Sequence, residues 1–179
     1  VMEMVLNLNS STAASGTFSN TITVNDSLGN SVPLTLTFKK TDVNTWEVSG
    51  EMPSSIAAAS GTNVQFDGSD TMTISFGADG KVSSVTADVD ITLDNMDAVA
   101  SATQTLSWNL YDEANDTAFN HITQFASNSS VTFQTQDGYA TGRITDVRVG
   151  EDGIITGVFS NGKTKALYQI VLANFPSYE

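Results

Sequence analysis

The sequence contains no cysteine. Disulfides and thiolate metal sites are therefore excluded, and the fold must rest on its core alone. At 179 residues such a core is attainable, since a chain of this length typically buries roughly 70% of the surface its unfolded form exposes. Basic residues are scarce as well. Seven Lys and Arg stand against 20 Asp and Glu, a formal net charge of −13. Charge of that sign repels phosphate backbones and argues against nucleic-acid binding. It also disfavours anionic membrane surfaces. No apolar run approaches the roughly 20 residues of a membrane-spanning helix. The opening VMEMVLNLNSST lacks the basic n-region of a signal peptide. Both it and the closing QIVLANFPSYE read as cuts within a longer chain.

What the chain does have is alternation. Met2, Met4, Leu6 and Leu8 alternate with Glu3, Val5 and Asn7. Leu34, Leu36 and Phe38 alternate with Thr35 and Thr37, and Trp46 and Val48 with Thr45 and Glu47. The same period of two recurs at Ile22–Val24, Met72–Phe76, Val89–Leu93 and Leu106–Leu110. A period of two is that of a strand with one buried face, and Thr and Val suit such a pleated surface. Helical signals are weak: Ser54–Ser60 is short and flanked by Pro53 and Gly61, and Asp116–Phe125 has room for a turn or two. The expected fold is all-β, with short antiparallel strands in a barrel or sandwich-like domain plus a smaller β region.

The breaks carry turn chemistry. Asn25–Asn30 contains Gly29, which can take a positive φ. Asp79–Gly80, Asp152–Gly153 and Asn161–Gly162 match the dipeptides that primed hairpin turns favour. Two of them share a G-x-D-G-x-[VI] frame, beginning at Gly77 and Gly150. The stretch Phe119–Ser130 is polar and lacks a strand pattern, and the charge is uneven around it. Residues 1–136 carry 15 acidic and 3 basic side chains, against 5 and 4 over 137–179. A boundary is expected near 120. An outer β domain would cover 1–120 and a second β region 121–179, its strands lying mainly over 130–179. The first strand suits either.

Candidate chemistry is thin, and each feature has a plain structural reading. His121 is alone, no G-x-S-x-G elbow accompanies it, and a solvent-exposed linker histidine is expected. Asp88, Asp90, Asp94 and Asp97 invite a calcium reading, but they lack the EF-hand spacing and its bidentate Glu. A solvated acidic edge that resists edge-to-edge pairing explains them better. Asp112, Glu113 and Asp116 read the same way, and no carboxylate pair can be placed across a cleft for glycoside hydrolysis. Asn9, Asn25, Asn115 and Asn128 open N-x-S/T triplets, which a Ser/Thr/Asn-rich chain produces by composition. A phosphate-binding GxxxxGK[ST] loop is absent. Trp46 and Trp108 alternate in phase with aliphatic neighbours, which favours core packing over a sugar-binding platform. No catalytic, cofactor or metal residue is assigned, and no enzyme activity is expected. A carbohydrate-binding or adhesin-type module remains the alternative, and a calcium-stabilised surface domain a third reading.

Two blocks of residues carry a family resemblance. Gln136–Thr164 reads QDGYATGRITDVRVGEDGIITGVFSNGKT, and Ala166–Phe175 reads ALYQIVLANF. This resembles the D/N-G-Y-x-x-G opening, D-G-x-[IV]-x-G turn, Y/F-S-N-G hairpin and Q-[IV]-x-L-A-x-F close of flagellar rod and hook proteins. Val24–Lys40, reading VNDSLGNSVPLTLTFKK, with Asn44-Thr-Trp-Glu-Val48, is similar to a segment of the hook-protein family in particular. The resemblance implies a structural subunit of the flagellar hook, a bending universal joint between rod and filament. It implies export through the flagellar apparatus without a cleaved signal peptide, an extracellular location, self-polymerisation, and contacts with hook cap, rod and hook–filament junction proteins. It further implies an outer β domain inserted into an inner one. The family's terminal helices and most of the first half of its inner domain have no counterpart here, so the chain is expected to be monomeric. Its Cys-based cross-linking is unavailable without Cys.

Overall fold

A computed structural model describes residues 1–56, 63–94, 103–112, 117–118 and 121–171. They fall into two compact units, 1–138 and 139–179. In the first unit lie β1 (Met2–Asn9), β2 (Thr17–Asn25), β3 (Ser31–Asp42), β4 (Thr45–Glu51), β5 (Val64–Phe66), β6 (Thr71–Ser75), β7 (Val89–Asp94) and β8 (Thr103–Trp108). It continues with β9 (Tyr111–Asp112), β10 (Thr117–Ala118), β11 (Ile122–Phe125) and β12 (Ser130–Gln136). The second unit holds β13 (Ile144–Val149), β14 (Ile154–Phe159) and β15 (Thr164–Gln169). No helix occurs among the described residues. The all-β reading stands.

One sheet of the first unit is the antiparallel meander β2-β3-β4-β6. The other runs β11-β1-β8-β7-β5, with β12 on the far side of β1. The alternating apolar residues of both sheets meet in one core, which includes Met4, Leu6, Leu34, Phe38, Trp46, Ile91 and Trp108. Phe38 of β3 meets Trp108 of β8 edge to face, with centroids 6.4 Å apart, a pairing worth about 0.5–1.5 kcal/mol beyond area burial. Along one margin Asn20 of β2 donates to Gln134 Oε1 of β12 at 2.6 Å, which bridges the two sheets by side chains.

Two expectations change. β1 pairs in parallel with β11, through Leu6–Ile122 to Asn9–Phe125, and with β8 at Met2–Trp108. Alternation reports which face is buried and is silent on strand direction, so these parallel pairs were not legible. The polar stretch after Phe119 also contains strands. β11 and β12 both pair with β1, and the compact units divide at Gly138 rather than near 120. β11 escaped notice because its inward positions are Ile122 and Gln124, and a buried Gln erases the apolar alternation.

One turn recurs four times. In Gly77–Lys81, Gly150–Ile154 and Phe159–Lys163, the first residue's N–H bonds the fifth residue's C=O, and the fourth residue's N–H bonds the first's C=O. Asp26–Asn30 repeats this pattern. The fourth residue is always Gly, with φ between 75° and 81° at Gly29, Gly80, Gly153 and Gly162. The residue before it (Leu28, Asp79, Asp152 or Asn161) keeps a negative φ, so these are type I turns followed by a left-handed Gly, not the primed turns expected from the Asp-Gly and Asn-Gly dipeptides. The primed form occurs at Asp67–Gly68, where both residues have positive φ (49° and 80°). There Phe66 and Ser69 exchange both backbone bonds.

Asp26 is nearly buried in its turn. Burial alone would raise its pKa. The amide of Asn30, with the backbone N–H groups of Asn30, Leu28 and Gly29, outweighs burial and holds it below the ordinary aspartate value. A depressed folded pKa stabilises the fold above the unfolded value of about 3.9, and that stability is lost as pH falls through the folded value. Asp26→Ala is therefore expected to lower the melting temperature at pH 7, and the gap from the parent should close as pH falls below 4 toward the folded pKa. An equal gap at pH 7 and pH 2 would refute this origin. A second test concerns Gly50. A Cβ built there would stand 2.4 Å from Val64 Cγ1, because β5 passes directly over β4. Gly50→Ala should cost about 1–3 kcal/mol in denaturant unfolding through overpacking.

Candidate functional site

The residues that carry the sequence motifs converge on one buried polar node in the first unit. Along β3 every second residue from Val32 to Lys40 faces the core. The pattern ends on a cation, and Lys40 is buried as its apolar predecessors are, though slightly less completely. Its ammonium group donates to the Ser10 carbonyl and stands 5.9 Å from the ring of Trp46, its direct cross-strand partner. Cation–π contacts of this kind are worth about 0.5–2 kcal/mol, more when desolvated. The Lys40 backbone binds the loop after β1 from both sides, with its N–H on Gly16 O and its C=O on Ser15 N–H, at 2.9 and 2.8 Å.

Trp46 is fully buried, and its Nε1–H donates to Gln124 Oε1 at 2.6 Å. Gln124 Nε2 in turn donates to Asn44 Oδ1 at 2.9 Å, and Gln124 N–H to Gly80 O at 2.8 Å. Four chain segments thus meet at one residue of β11: the β3–β4 hairpin and β4 through the Gln124 side-chain amide, and the Gly77–Lys81 turn through its backbone N–H. Gly80 fits beneath β11 because it has no side chain; a Cβ would lie 2.8 Å from Gln124 O. Trp108 is also fully buried, which removes the exposed Trp platform a carbohydrate-binding module would need. Gln124 was not singled out from the sequence. Its signal is a polar residue in phase with Ile122, readable only once Trp46 is known to need an acceptor.

The acidic series does not gather. Asp88 Oδ1 accepts from Leu110 and Tyr111 N–H, both at 2.9 Å. Asp94 Oδ1 accepts from the Thr103 hydroxyl at 2.7 Å. The backbone N–H of Asp90 donates to Asp67 Oδ1 at 2.9 Å. Two of these carboxylates thus tie loops and strand ends. Asp97, Glu113 and Asp116 lie outside the described residues, and Asp112 is in β9. Among the described residues no group of three or more His, Asp or Glu is placed to hold a metal ion. His121 is not the exposed linker residue expected. It leads into β11, is half-buried, and its Nε2 lies 3.5 Å from Glu3 Oε1, an ion pair when the imidazole is protonated.

In the second unit the motif blocks interlock. Asn161 of the F-S-N-G hairpin donates to Ala140 O at 2.6 Å, and Ser160 N–H to Arg143 O at 2.8 Å. A Cβ at Gly142 would stand 2.6 Å from the Asn161 amide carbon, which accounts for the glycine of the D-G-Y-x-x-G opening. Lys163 lies 5.2 Å from the ring of Tyr139. In both units, then, polar side chains tie separate segments of the chain together. Trp46, Gln124, Asp26 and Asn161 each spend their polar groups on neighbouring chain.

Known proteins match this framework. The family model described as the flagellar basal body protein FlaE D2 domain matches residues 2–139. The flagellar hook protein FlgE of Escherichia coli K12 is 30% identical over 161 residues, covering 88% of this chain and 35% of that protein. Its counterpart in Salmonella typhimurium is 30% identical over 159 residues, covering 89% and 35%. The Treponema pallidum FlgE is 46% identical over a shorter 59 residues, 33% of this chain and 13% of that protein. The crystal structure of Helicobacter pylori flagellar hook protein FlgE2 shares the fold, with a TM-score of 0.50 at 22% identity, over 86% of this chain and 32% of that one. The chain spans about a third of the length of the E. coli and Salmonella relatives. The buried Trp46–Gln124 node and the Asp26 turn lie inside the matched stretch, and on that match the chain belongs to the flagellar hook protein family.

Proposed function

We propose that the full protein is a structural subunit of the flagellar hook and has no catalytic role. It polymerises with copies of itself outside the cell and meets hook cap, rod and hook–filament junction proteins at the ends of the tube. The observation that carries this reading is the family match over residues 2–139, joined to motif residues that serve as framework. We assign the first unit to an outer domain. The second unit is the returning part of an inner domain, with the division at Gly138 instead of 120. On its own the 179-residue chain is a monomer at moderate concentration.

Physics favours this role for the first unit. A joint that bends on each rotation needs subunits that keep their shape while contacts between them slide. Polar, wet contacts slide more readily than dry apolar ones, since no large buried patch must open. The net charge of −13 keeps such contacts weak and salt-dependent. Internal rigidity comes from the node, where the side chain and backbone of Gln124 in β11 together hold β4 and the Gly77–Lys81 turn.

Expression of the full-length gene in a hook-deficient strain should restore hooks and swimming. Export without hook assembly would overturn the reading. The node is tested by a double-mutant cycle on the 179-residue chain. Trp46→Phe leaves the Gln124 carbonyl buried and unpaired, and should cost about 1–3 kcal/mol. Combined with Gln124→Leu, the two changes should couple by about 0.5–3 kcal/mol. Additive losses in denaturant unfolding would show the bond carries no coupling.

A further inference from the structure

Lys40 is buried, yet its ammonium has three N–H donors, and among the described residues only the Ser10 carbonyl accepts from it. No carboxylate among them lies within ion-pair distance of it. A cation removed from water is costly unless its donors are met. Lys40 lines a cleft of about 510 Å³, together with Ser10, Thr12, Thr41, Asp42 and Asn44. The rim offers the Asn44 amide and the Ser10 and Thr12 hydroxyls as donors, while the Thr41 hydroxyl donates to Thr45 O at 3.2 Å and Asp42 brings one carboxylate. The Asn44 carbonyl oxygen is taken by Gln124, so the amide N–H₂ is what Asn44 has left. Asp42 gives Oδ1 to the Val43 N–H at 2.7 Å.

We propose that this cleft is a receptor for a carboxylate, and that in the assembled protein the carboxylate is an acidic side chain of a neighbouring copy. The second clause rests on the hook reading above; the first does not. A carboxylate matches a single ammonium flanked by amide and hydroxyl donors, and its two oxygens can accept from Lys40 and Asn44 together. Charge complementarity identifies the source. Residues 1–138 carry 16 acidic against 3 basic side chains, so a carboxylate is the commoner charged group that a neighbouring outer unit can present. The contact would be polar, local and reversible, as a sliding joint requires.

The test uses the isotope-labelled 179-residue chain and sodium acetate as probe, with sodium chloride at matched ionic strength as control. Acetate should produce saturating amide shifts at Thr12, Thr41 and Asn44 that chloride does not. Lys40→Met, which keeps the stem and removes the charge, should abolish them. Thr41→Glu alters an exposed rim residue and supplies a carboxylate in cis; it should also abolish the acetate response while the fold persists, so the test survives if Lys40→Met unfolds. Shifts that are linear, or equal with chloride, or intact in Thr41→Glu, would overturn the receptor and leave the hook reading untouched. With the receptor established, the parent chain at rising concentration should shift the same three amides. Their failure to move would overturn the neighbouring-copy source alone.

Discussion

The first unit is organised around one buried indole N–H, that of Trp46, which finds its acceptor on a distant strand. Trp46 is fully enclosed between two sheets, and an unpaired polar group there would cost about 1–3 kcal/mol. Gln124 meets it at 2.6 Å and passes the demand on to Asn44. The acceptor comes from a strand 78 residues away in sequence. The bond ties β11 to β4, and the backbone N–H of the same Gln124 holds the Gly77–Lys81 turn. Trp108 Nε1 has no such acceptor among the described residues, and its ring is held by packing against Phe38 instead.

Turn chemistry supplies a second, local layer of order. Four five-residue turns with a left-handed Gly join consecutive strands, each with a short polar side chain folded back on the loop. Asp26, Asp79, Asp152 and Asn161 all accept from a backbone N–H two residues on. The bonds of each such turn lie within five residues and need no long-range contact. Asp26 goes further, since its second oxygen takes the Asn30 amide at 3.0 Å and the carboxylate is held charged inside a nearly closed turn.

Charge divides into two kinds of use. Asp88 and Asp94 look in the sequence like members of one acidic cluster, but each is engaged in a separate bond that closes a loop or a strand end. The remaining surface acid sets the long-range field. A subunit that must neither stick to its neighbours nor fall away from them is served by this division, because local bonds keep the fold while the exposed charge keeps contacts weak. Lys40 is the exception, a cation held inside the most acidic part of the chain with donors to spare.

Many of the strands, their buried faces and the positions of most turns were legible in the sequence, because period-two alternation and turn dipeptides are short-range signals that each segment carries alone. Met2–Leu8, Leu34–Phe38 and Val89–Leu93 needed no partner to declare which side is inward. The motif blocks likewise declared the family. The partnering was not legible. That β1 lies between β12 and two parallel neighbours, that polar Gln124 and Lys40 are core residues, and that the acids at 88 and 94 serve different bonds all depend on contacts between distant segments. Local pattern states what a side chain prefers. Only the tertiary structure decides whether a polar one finds the partner that makes its burial affordable.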